Sequence, residues 1–65
     1  MKRTDFIRHL FARGCVFVRE GAKHSVLFNP AAKRSSTVPR HAEIHKFLVR
    51  KICRDLGVDK PKRKA

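Results

Sequence analysis

A glycine turn lies between two apolar runs in the segment Arg19-Glu20-Gly21-Ala22-Lys23-His24-Ser25-Val26-Leu27-Phe28-Asn29-Pro30. Glycine supplies the positive φ that a type II′ turn requires, so the sequence predicts a tight β-hairpin centred on Gly21-Ala22. This register pairs Arg19 with His24, and side chains paired across two strands lie on the same face of a sheet. We therefore expect an imidazole beside a guanidinium at the end of a mostly apolar sheet.

The opposite face of the predicted hairpin is too apolar for bare solvent. In the same register it carries Val16, Val18, Ser25 and Leu27. An exposed apolar patch of this kind is typical of a surface that binds another protein. The sequence thus predicts a partner-binding surface at Val16, Val18 and Leu27.

The segments that flank the hairpin predict one helix on each side of it. Before the hairpin, apolar residues recur at helical spacing between Thr4, a suitable N-cap, and Gly14, a natural C′ residue. After it, residues 36–39 predict a short third strand, since Pro39 keeps the preceding residue extended. A second helix is predicted from about Ala42. Its apolar face is expected to comprise Ile44, Phe47, Leu48, Ile52 and Leu56.

The order helix–strand–strand–strand–helix predicts an α+β domain of two layers over residues 1–58. Both helices are expected on one face of a three-stranded antiparallel sheet. Residues 59–65 are charged and contain a proline, so they are predicted to form a disordered basic tail. Cys15 and Cys53 fall in apolar segments, which predicts two buried thiols rather than a disulfide.

The charge of the chain indicates a polyanionic partner. Its 17 Lys and Arg against 5 Asp and Glu give a formal net charge of +12 over 65 residues. This excess favours nucleic acid as a partner first, an acidic protein second and an anionic membrane surface third. The sequence contains neither a membrane-spanning apolar run nor a signal-peptide core, so a cytoplasmic protein is expected. It also lacks a phosphate-binding glycine loop, a serine elbow and paired carboxylates, which excludes the enzymes that depend on them.

His24 is the candidate catalytic residue. An imidazole exchanges protons near neutral pH. RNA cleavage needs a base for the 2′-hydroxyl and cations that stabilise the charge developing on the phosphate. A lone histidine in a hairpin is more often a solvated surface residue, and that simpler explanation stays open on these residues alone.

Basic residues in and beyond the hairpin are candidates for binding RNA phosphates. They are Arg19, Lys23, Lys33, Arg34 and Arg40. Arg40 is expected beside the N-terminus of the second helix, where backbone N–H groups also favour an anion, although a loop arginine without a target is an equal alternative. His41 and His45 are spaced to share a helix face, but no cysteine or acidic cluster completes a metal site, so none is predicted.

Four sequence features in this order resemble the HicA (YcfA-like) toxins, small mRNA interferases of bacterial toxin–antitoxin pairs. They are Gly21-x-x-His24 in a hairpin, Asn29-Pro30, Thr37-Val38-Pro39-Arg40-His41, and an amphipathic helix that ends Leu56-Gly57-Val58. The resemblance extends from Thr4 to Val58, and it departs from the commonest Gly-Ser-His pattern at Ala22-Lys23-His24. It implies a fold similar to a double-stranded-RNA-binding domain.

The resemblance also implies what the protein does. A HicA toxin cleaves mRNA as a metal-independent endoribonuclease without a cofactor, and its single essential histidine corresponds to His24. A HicB-like acidic antitoxin neutralises such a toxin by covering that histidine. Two other functions are compatible with the sequence: a non-catalytic RNA-binding module with the same fold, and an inactive toxin homologue that binds only its antitoxin.

Overall fold

The computed structural model of the chain describes residues 1–61. The elements follow one another in the order α1 (Arg3–Ala12), β1 (Val16–Glu20), β2 (His24–Asn29), β3 (Arg34–Pro39) and α2 (Lys46–Leu56). The strands form one antiparallel sheet in the order β1-β2-β3, which confirms the predicted α+β architecture. This arrangement is compatible with the double-stranded-RNA-binding-domain-like fold that the resemblance implies. Residues 62–65 of the predicted tail lie outside the described residues, and no helix within 1–61 is long and apolar enough to cross a membrane.

Both helices pack on one face of the sheet and bury their apolar side chains there. The core comprises Phe6, Ile7 and Leu10 of α1, Leu27 and Val38 of the sheet, Val49, Ile52, Cys53 and Leu56 of α2, and the connecting residues Cys15 and Ile44. Cys15 and Cys53 are buried free thiols, which confirms that prediction. Burial raises the pKa of Cys15, and it is the largest cause of the rise in the pKa of Cys53 to about 11.

The second helix, α2, begins four residues later than the predicted start at Ala42. Its N-cap is His45, whose Nδ1 accepts a hydrogen bond from the backbone N–H of Phe47 at 3.2 Å. The earlier start is wrong because the segment before His45 is bound to the beginning of the chain instead. The carbonyl of Ala42, for example, accepts a hydrogen bond from the backbone N–H of Arg3 at 2.8 Å, so it does not join a helical turn.

The buried face of α2 also differs from the predicted one. Phe47 is 63% exposed and Leu48 is only partly buried, whereas Val49 and Cys53 lie in the core. Phe47 is in the first turn of the helix, where no part of the sheet covers its side chain. The end of the helix agrees with the prediction, since Gly57 adopts a positive φ of 72° at the C-cap.

Three further boundaries can be compared with the prediction. Helix α1 begins at Arg3 with Lys2 as its N-cap, so the predicted N-cap, Thr4, lies inside the helix. Gly14 follows the helix with a positive φ of 91°, as predicted for a C′ residue. Strand β3 is longer than the predicted 36–39, because Arg34 already pairs with Asn29 of β2.

The hairpin turns one residue later than predicted. Glu20 lies opposite Ser25, and the backbone N–H of Gly21 donates to the carbonyl of His24 at 2.7 Å. The tip is therefore formed by residues 22–23. Gly21 does not adopt a positive φ, so the predicted type II′ turn is wrong.

The shifted register changes which residues face the helices. Arg19 lies opposite Val26, so the predicted pairing of Arg19 with His24 is wrong. Ser25 and Leu27 are fully buried, so placing them on the exposed face, and Leu27 in a partner-binding surface, is also wrong. The observed register buries the side chain of Leu27 and gives the hydroxyl of Ser25 two hydrogen-bond partners.

A β-bulge at Val18 sets the direction of the β1 side chains, since Val18 and Arg19 share the position opposite Val26. Phe17 turns toward the helices, where its ring meets a phenylalanine of α1 edge-on at 5.1 Å between centroids. We call the side of the sheet that faces away from the helices the open face. Its apolar residues are Val16, Val18, Val26 and Phe28. The predicted exposure of the first two is confirmed, at 47% and 62%.

Asn29 fixes the direction in which α2 crosses the sheet. Its Nδ2 donates to the carbonyl of Leu56 at 2.7 Å, which ties the last turn of α2 to the end of β2. Its Oδ1 accepts from the backbone N–H of Ala31 at 3.2 Å in the β2–β3 turn. Helix α2 therefore begins at the opposite end of the sheet. We call that end, which contains the turn 21–24 and residues 39–40, the hairpin end.

Candidate active site

His24 is the first residue of β2, and its side chain is exposed. Because side chains alternate along a strand and Ser25 is buried, the imidazole lies on the open face, opposite Pro39 of β3. The carbonyl of His24 accepts the hydrogen bond from Gly21 that closes the turn. The backbone of His24 is thus held between two neighbouring segments, while its imidazole is accessible to a large substrate.

Ser25, the next residue, anchors the hairpin to α1. Its Oγ donates to Glu20 Oε1 at 2.9 Å and accepts from Arg3 Nη2 at 2.7 Å. Arg3 Nε also donates to the carbonyl of Pro39 at 3.0 Å. Ser25 is fully buried, and a buried hydroxyl that lost such partners would destabilise the fold. The hairpin is therefore fixed relative to both α1 and β3.

Arg40, which follows β3, makes two further hydrogen bonds to the hairpin. Its Nη1 donates to Glu20 Oε1 at 2.5 Å, and its backbone N–H donates to the carbonyl of Lys23 at 3.2 Å. The two side chains of the ion pair are about half exposed, so the pair contributes little to stability by itself. It does hold the chain after β3 against the turn that precedes His24. We call the following four residues the hairpin-end network: Arg3, Glu20, Ser25 and Arg40.

The predicted RNA-binding residues divide between the two ends of the sheet. The hairpin end carries Arg19, Lys23 and Arg40. The opposite end carries Lys33, in the β2–β3 turn, and Arg34, the first residue of β3. The ends are separated by the length of β2, about 17 Å for five steps along a strand. Only the first group therefore lies at the same end as His24.

The residues between β3 and α2 do not adopt the helical positions that the sequence predicts. Arg40 does not directly precede the N-terminus of α2, because the helix begins only at Lys46, and its guanidinium pairs with Glu20. His41 and His45 do not share a helix face for the same reason. Within residues 1–61, no group of three or more His, Cys, Asp or Glu side chains is placed to hold a metal ion.

Three members of the hairpin-end network, Arg3, Glu20 and Ser25, were not among the predicted site residues. The signal in the sequence is a serine within an apolar strand, because a buried hydroxyl needs a partner. The wrong register puts Ser25 on the exposed face and hides that need. No local pattern links Ser25 to Arg3, which lies 22 residues earlier.

Residues 3–58 match the sequence model of a family described as the HicA toxin of bacterial toxin–antitoxin. The match extends over all five elements, and it includes His24 and the whole hairpin-end network. The chain belongs to the HicA toxin family. It is therefore related to the toxin component of a toxin–antitoxin pair, which implies an antitoxin partner. No curated protein and no solved structure matches the chain.

In this HicA toxin the candidate site and the open face are continuous, because His24 belongs to both. The side chains of His24, Val26 and Phe28 lie in that order along the same side of β2. A molecule that covers the apolar part of the open face would therefore also approach His24.

Proposed function

We propose that this HicA toxin is an endoribonuclease that cleaves mRNA in the cytoplasm, with His24 as its general acid or base. The observation that carries the proposal is the placement of His24, whose exposed imidazole lies next to the fully buried Ser25, a residue that hydrogen-bonds both Arg3 and Glu20. A group that transfers protons acts best when the backbone behind it is held in one position. The hairpin-end network supplies that support.

The cleavage reaction needs a proton transfer but no external nucleophile. As a base, His24 takes the proton of a 2′-hydroxyl, and the 2′-oxygen attacks the adjacent phosphorus. The bond from phosphorus to the 5′-oxygen then breaks, which leaves a cyclic phosphate on one product and a hydroxyl on the other. As an acid, His24 would instead donate the proton that the departing 5′-oxygen receives.

The basic residues at the hairpin end are proposed to bind the RNA phosphates. Arg19 and Lys23 flank the turn, and both are exposed. Arg40 uses Nη1 for Glu20, and a guanidinium has further N–H donors for a phosphate. Positive groups fixed near the scissile phosphate stabilise the charge that develops in the transition state. In this mechanism side chains supply the chemistry, so no metal ion is required.

The antitoxin is proposed to be a HicB-like acidic protein that covers the open face. The sequence-based partner surface keeps Val16 and Val18, while Val26 and Phe28 replace the buried Leu27. Apolar burial would supply most of the affinity, and negative charge would complement the net charge of +12. Binding there would also exclude RNA from His24.

The decisive experiment replaces His24 and uses His41 as the matched control. His24→Ala is expected to abolish RNA cleavage and growth inhibition while the melting temperature stays unchanged, because the side chain is exposed. His41→Ala, another exposed histidine beside the hairpin end, is expected to keep both activities. Cleavage by the wild-type protein should also persist in excess EDTA. Full cleavage by a folded His24→Ala variant would overturn the assignment of His24.

The same measurements separate the two alternative functions. A non-catalytic RNA-binding module would bind RNA without cleaving it, even as the wild-type protein. An inactive toxin homologue would bind its antitoxin but show neither cleavage nor growth inhibition.

A further inference from the structure

Phe47 is the most exposed large apolar side chain of the two helices, with 63% of its surface accessible. Two polar groups lie close to its ring. The imidazole of His45 lies 5.1 Å away between ring centroids, at an interplanar angle of 31°. Lys46 Nζ lies 5.6 Å from the centroid of the Phe47 ring. An aromatic ring, an imidazole and an ammonium group are thus clustered on the surface.

The fold itself does not require this cluster. The buried face of α2 consists of other residues, and the ring of Phe47 fills no part of the core. A single exposed apolar side chain is ordinary in a protein surface. Here, however, the hydrogen bond from the backbone N–H of Phe47 to His45 Nδ1 also fixes the position of the neighbouring imidazole. The exposed ring is therefore part of an ordered arrangement.

We propose that His45, Lys46 and Phe47 form a platform on which an unpaired base of the RNA substrate stacks. Proteins that bind single-stranded RNA commonly combine an exposed aromatic ring, on which a base stacks, with cations that bind the adjoining phosphates. The exposed part of the Phe47 ring supplies the stacking surface, and Lys46, whose Nζ lies over that ring, supplies the cation. This inference rests on the proposed function in one respect, namely that the ligand is RNA.

The platform lies at the same end of the molecule as His24. Pro39 pairs directly with His24, and only six residues of chain lead from Pro39 to His45. Those six residues span at most about 22 Å even if fully extended. Because His24 lies on the open face and the platform lies on α2, an RNA strand that contacts both would pass around the edge of the sheet, with the stacked base a few nucleotides from the phosphate that is cleaved.

The cations beyond the platform favour a polyanionic ligand, and the exposed ring favours a nucleic acid, whose bases can stack on it. Lys46 also lines a groove between α1 and α2, together with Arg8 and Arg50. The acidic residue of the groove, Asp5, lies 4.0 Å from Arg8 and so offsets only one of these cations. An RNA strand that extends from the platform along this groove would contact side chains that can bind its phosphates. An antitoxin that contacts Phe47 instead is an outcome that the experiment can detect.

The test measures the affinity of the full chain for a 2′-O-methyl RNA, which cannot be cleaved through its 2′-hydroxyl whatever His24 does. The RNA is used both as a single strand and as a fully paired duplex. Phe47→Ala and Phe47→Leu are expected to weaken single-strand binding by about 5- to 100-fold, since each removes a stacking ring. Phe47→Tyr should bind like the wild type, because it keeps the ring. Duplex binding should change little in all three variants.

Two results would overturn the proposal. If Phe47→Leu binds the single strand as tightly as Phe47→Tyr, the ring does not stack on a base. If Phe47→Ala weakens antitoxin binding but not RNA binding, the platform is a protein contact. Neither result affects the assignment of His24, which depends on cleavage by the wild type and by His24→Ala. Unchanged melting temperatures would show that each Phe47 variant is folded.

Discussion

Arg3 donates a hydrogen bond from Nη2 to Ser25 Oγ at 2.7 Å, and so connects the first turn of α1 to the residue that follows His24. The single proton of that hydroxyl is then directed to Glu20, which also accepts from Arg40. Two cationic side chains, one from α1 and one from the chain after β3, therefore converge on the hairpin, to which Glu20 itself belongs. The position of His24 depends on contacts that come from three different parts of the sequence.

Removing the hydroxyl of Ser25 is expected to lower both stability and RNA cleavage. Ser25→Ala takes one partner from Arg3 and one from Glu20, at a cost of about 1–3 kcal/mol in the free energy of unfolding. The cleavage rate should fall even at temperatures where the variant is folded, because the hairpin loses its bond to α1. Urea unfolding and a cleavage assay measure the two effects separately.

Ser36→Ala is the matched control for that variant. Ser36 lies on the same side of the sheet, but its hydroxyl is 3.4 Å from Asp55 Oδ2, which is a weak hydrogen bond. We expect a cost of about 0.5 kcal/mol or less and unchanged cleavage. Equal costs for the two serines would contradict a special role for the hairpin-end network.

The sequence predicted the elements well because their signals are local. Apolar periodicity and β-branched runs were sufficient for two helices and three strands in the correct order. The register of the hairpin was not predictable in this way, because turns that differ by one residue fit the same glycine. The structure adopts the register in which Ser25 reaches Arg3 and Asn29 reaches Leu56, contacts between residues 22 and 27 positions apart.

In the candidate site, too, the local features were predictable and the contacts between distant residues were not. The Gly21-x-x-His24 pattern predicts that His24 lies at the end of a hairpin, and the structure confirms that position. The hairpin-end network could not be predicted, since no local pattern joins Arg3 to the hairpin. Likewise, the contacts between the first residues of the chain and segment 42–44 delay the start of α2. Periodicity alone therefore put Phe47 in the core.

Truncating Leu27 is expected to destabilise the protein far more than truncating Val16. Leu27 is fully buried, so Leu27→Ala should cost about 2–5 kcal/mol through lost burial and the cavity that remains. Val16 is 47% exposed on the open face, and Val16→Ala should cost about 0.5 kcal/mol. Chemical unfolding of both variants measures the difference. Similar costs would indicate the register in which Leu27 faces solvent.

The two thiols are expected to react slowly in the folded protein. Burial, helped by the nearby Cys15 and Asp59, raises the pKa of Cys53 to about 11, although Lys60 opposes the shift. At pH 8 only about one Cys53 in a thousand would then be a thiolate, the form that reacts. A thiol-specific colour reagent should label both cysteines rapidly in urea and slowly without it. Rapid labelling of the native protein would contradict their burial.

The two groups of basic residues should differ in their effect on substrates of different length. Arg19→Gln with Lys23→Gln is expected to lower kcat/KM for every RNA, because these side chains lie at the hairpin end. Lys33→Gln with Arg34→Gln removes the same charge about 17 Å away. It should leave cleavage of a dinucleotide unchanged and impair only longer RNAs. Equal effects on a dinucleotide would mean that total charge, rather than position, determines the rate.

The last prediction concerns the antitoxin and the open face. Val18 is 62% exposed there, whereas Ala12 is exposed at the end of α1, in the helical layer. Val18→Asp and Ala12→Asp each add one negative charge, so any loss of general electrostatic attraction should be the same. Val18→Asp is expected to weaken the complex at least about tenfold more, because it also puts a charge into a desolvated apolar contact. Titration calorimetry with the purified antitoxin measures both affinities, and melting temperatures check that both variants are folded. If the two substitutions weaken binding equally, the antitoxin does not cover the open face and charge alone holds the pair.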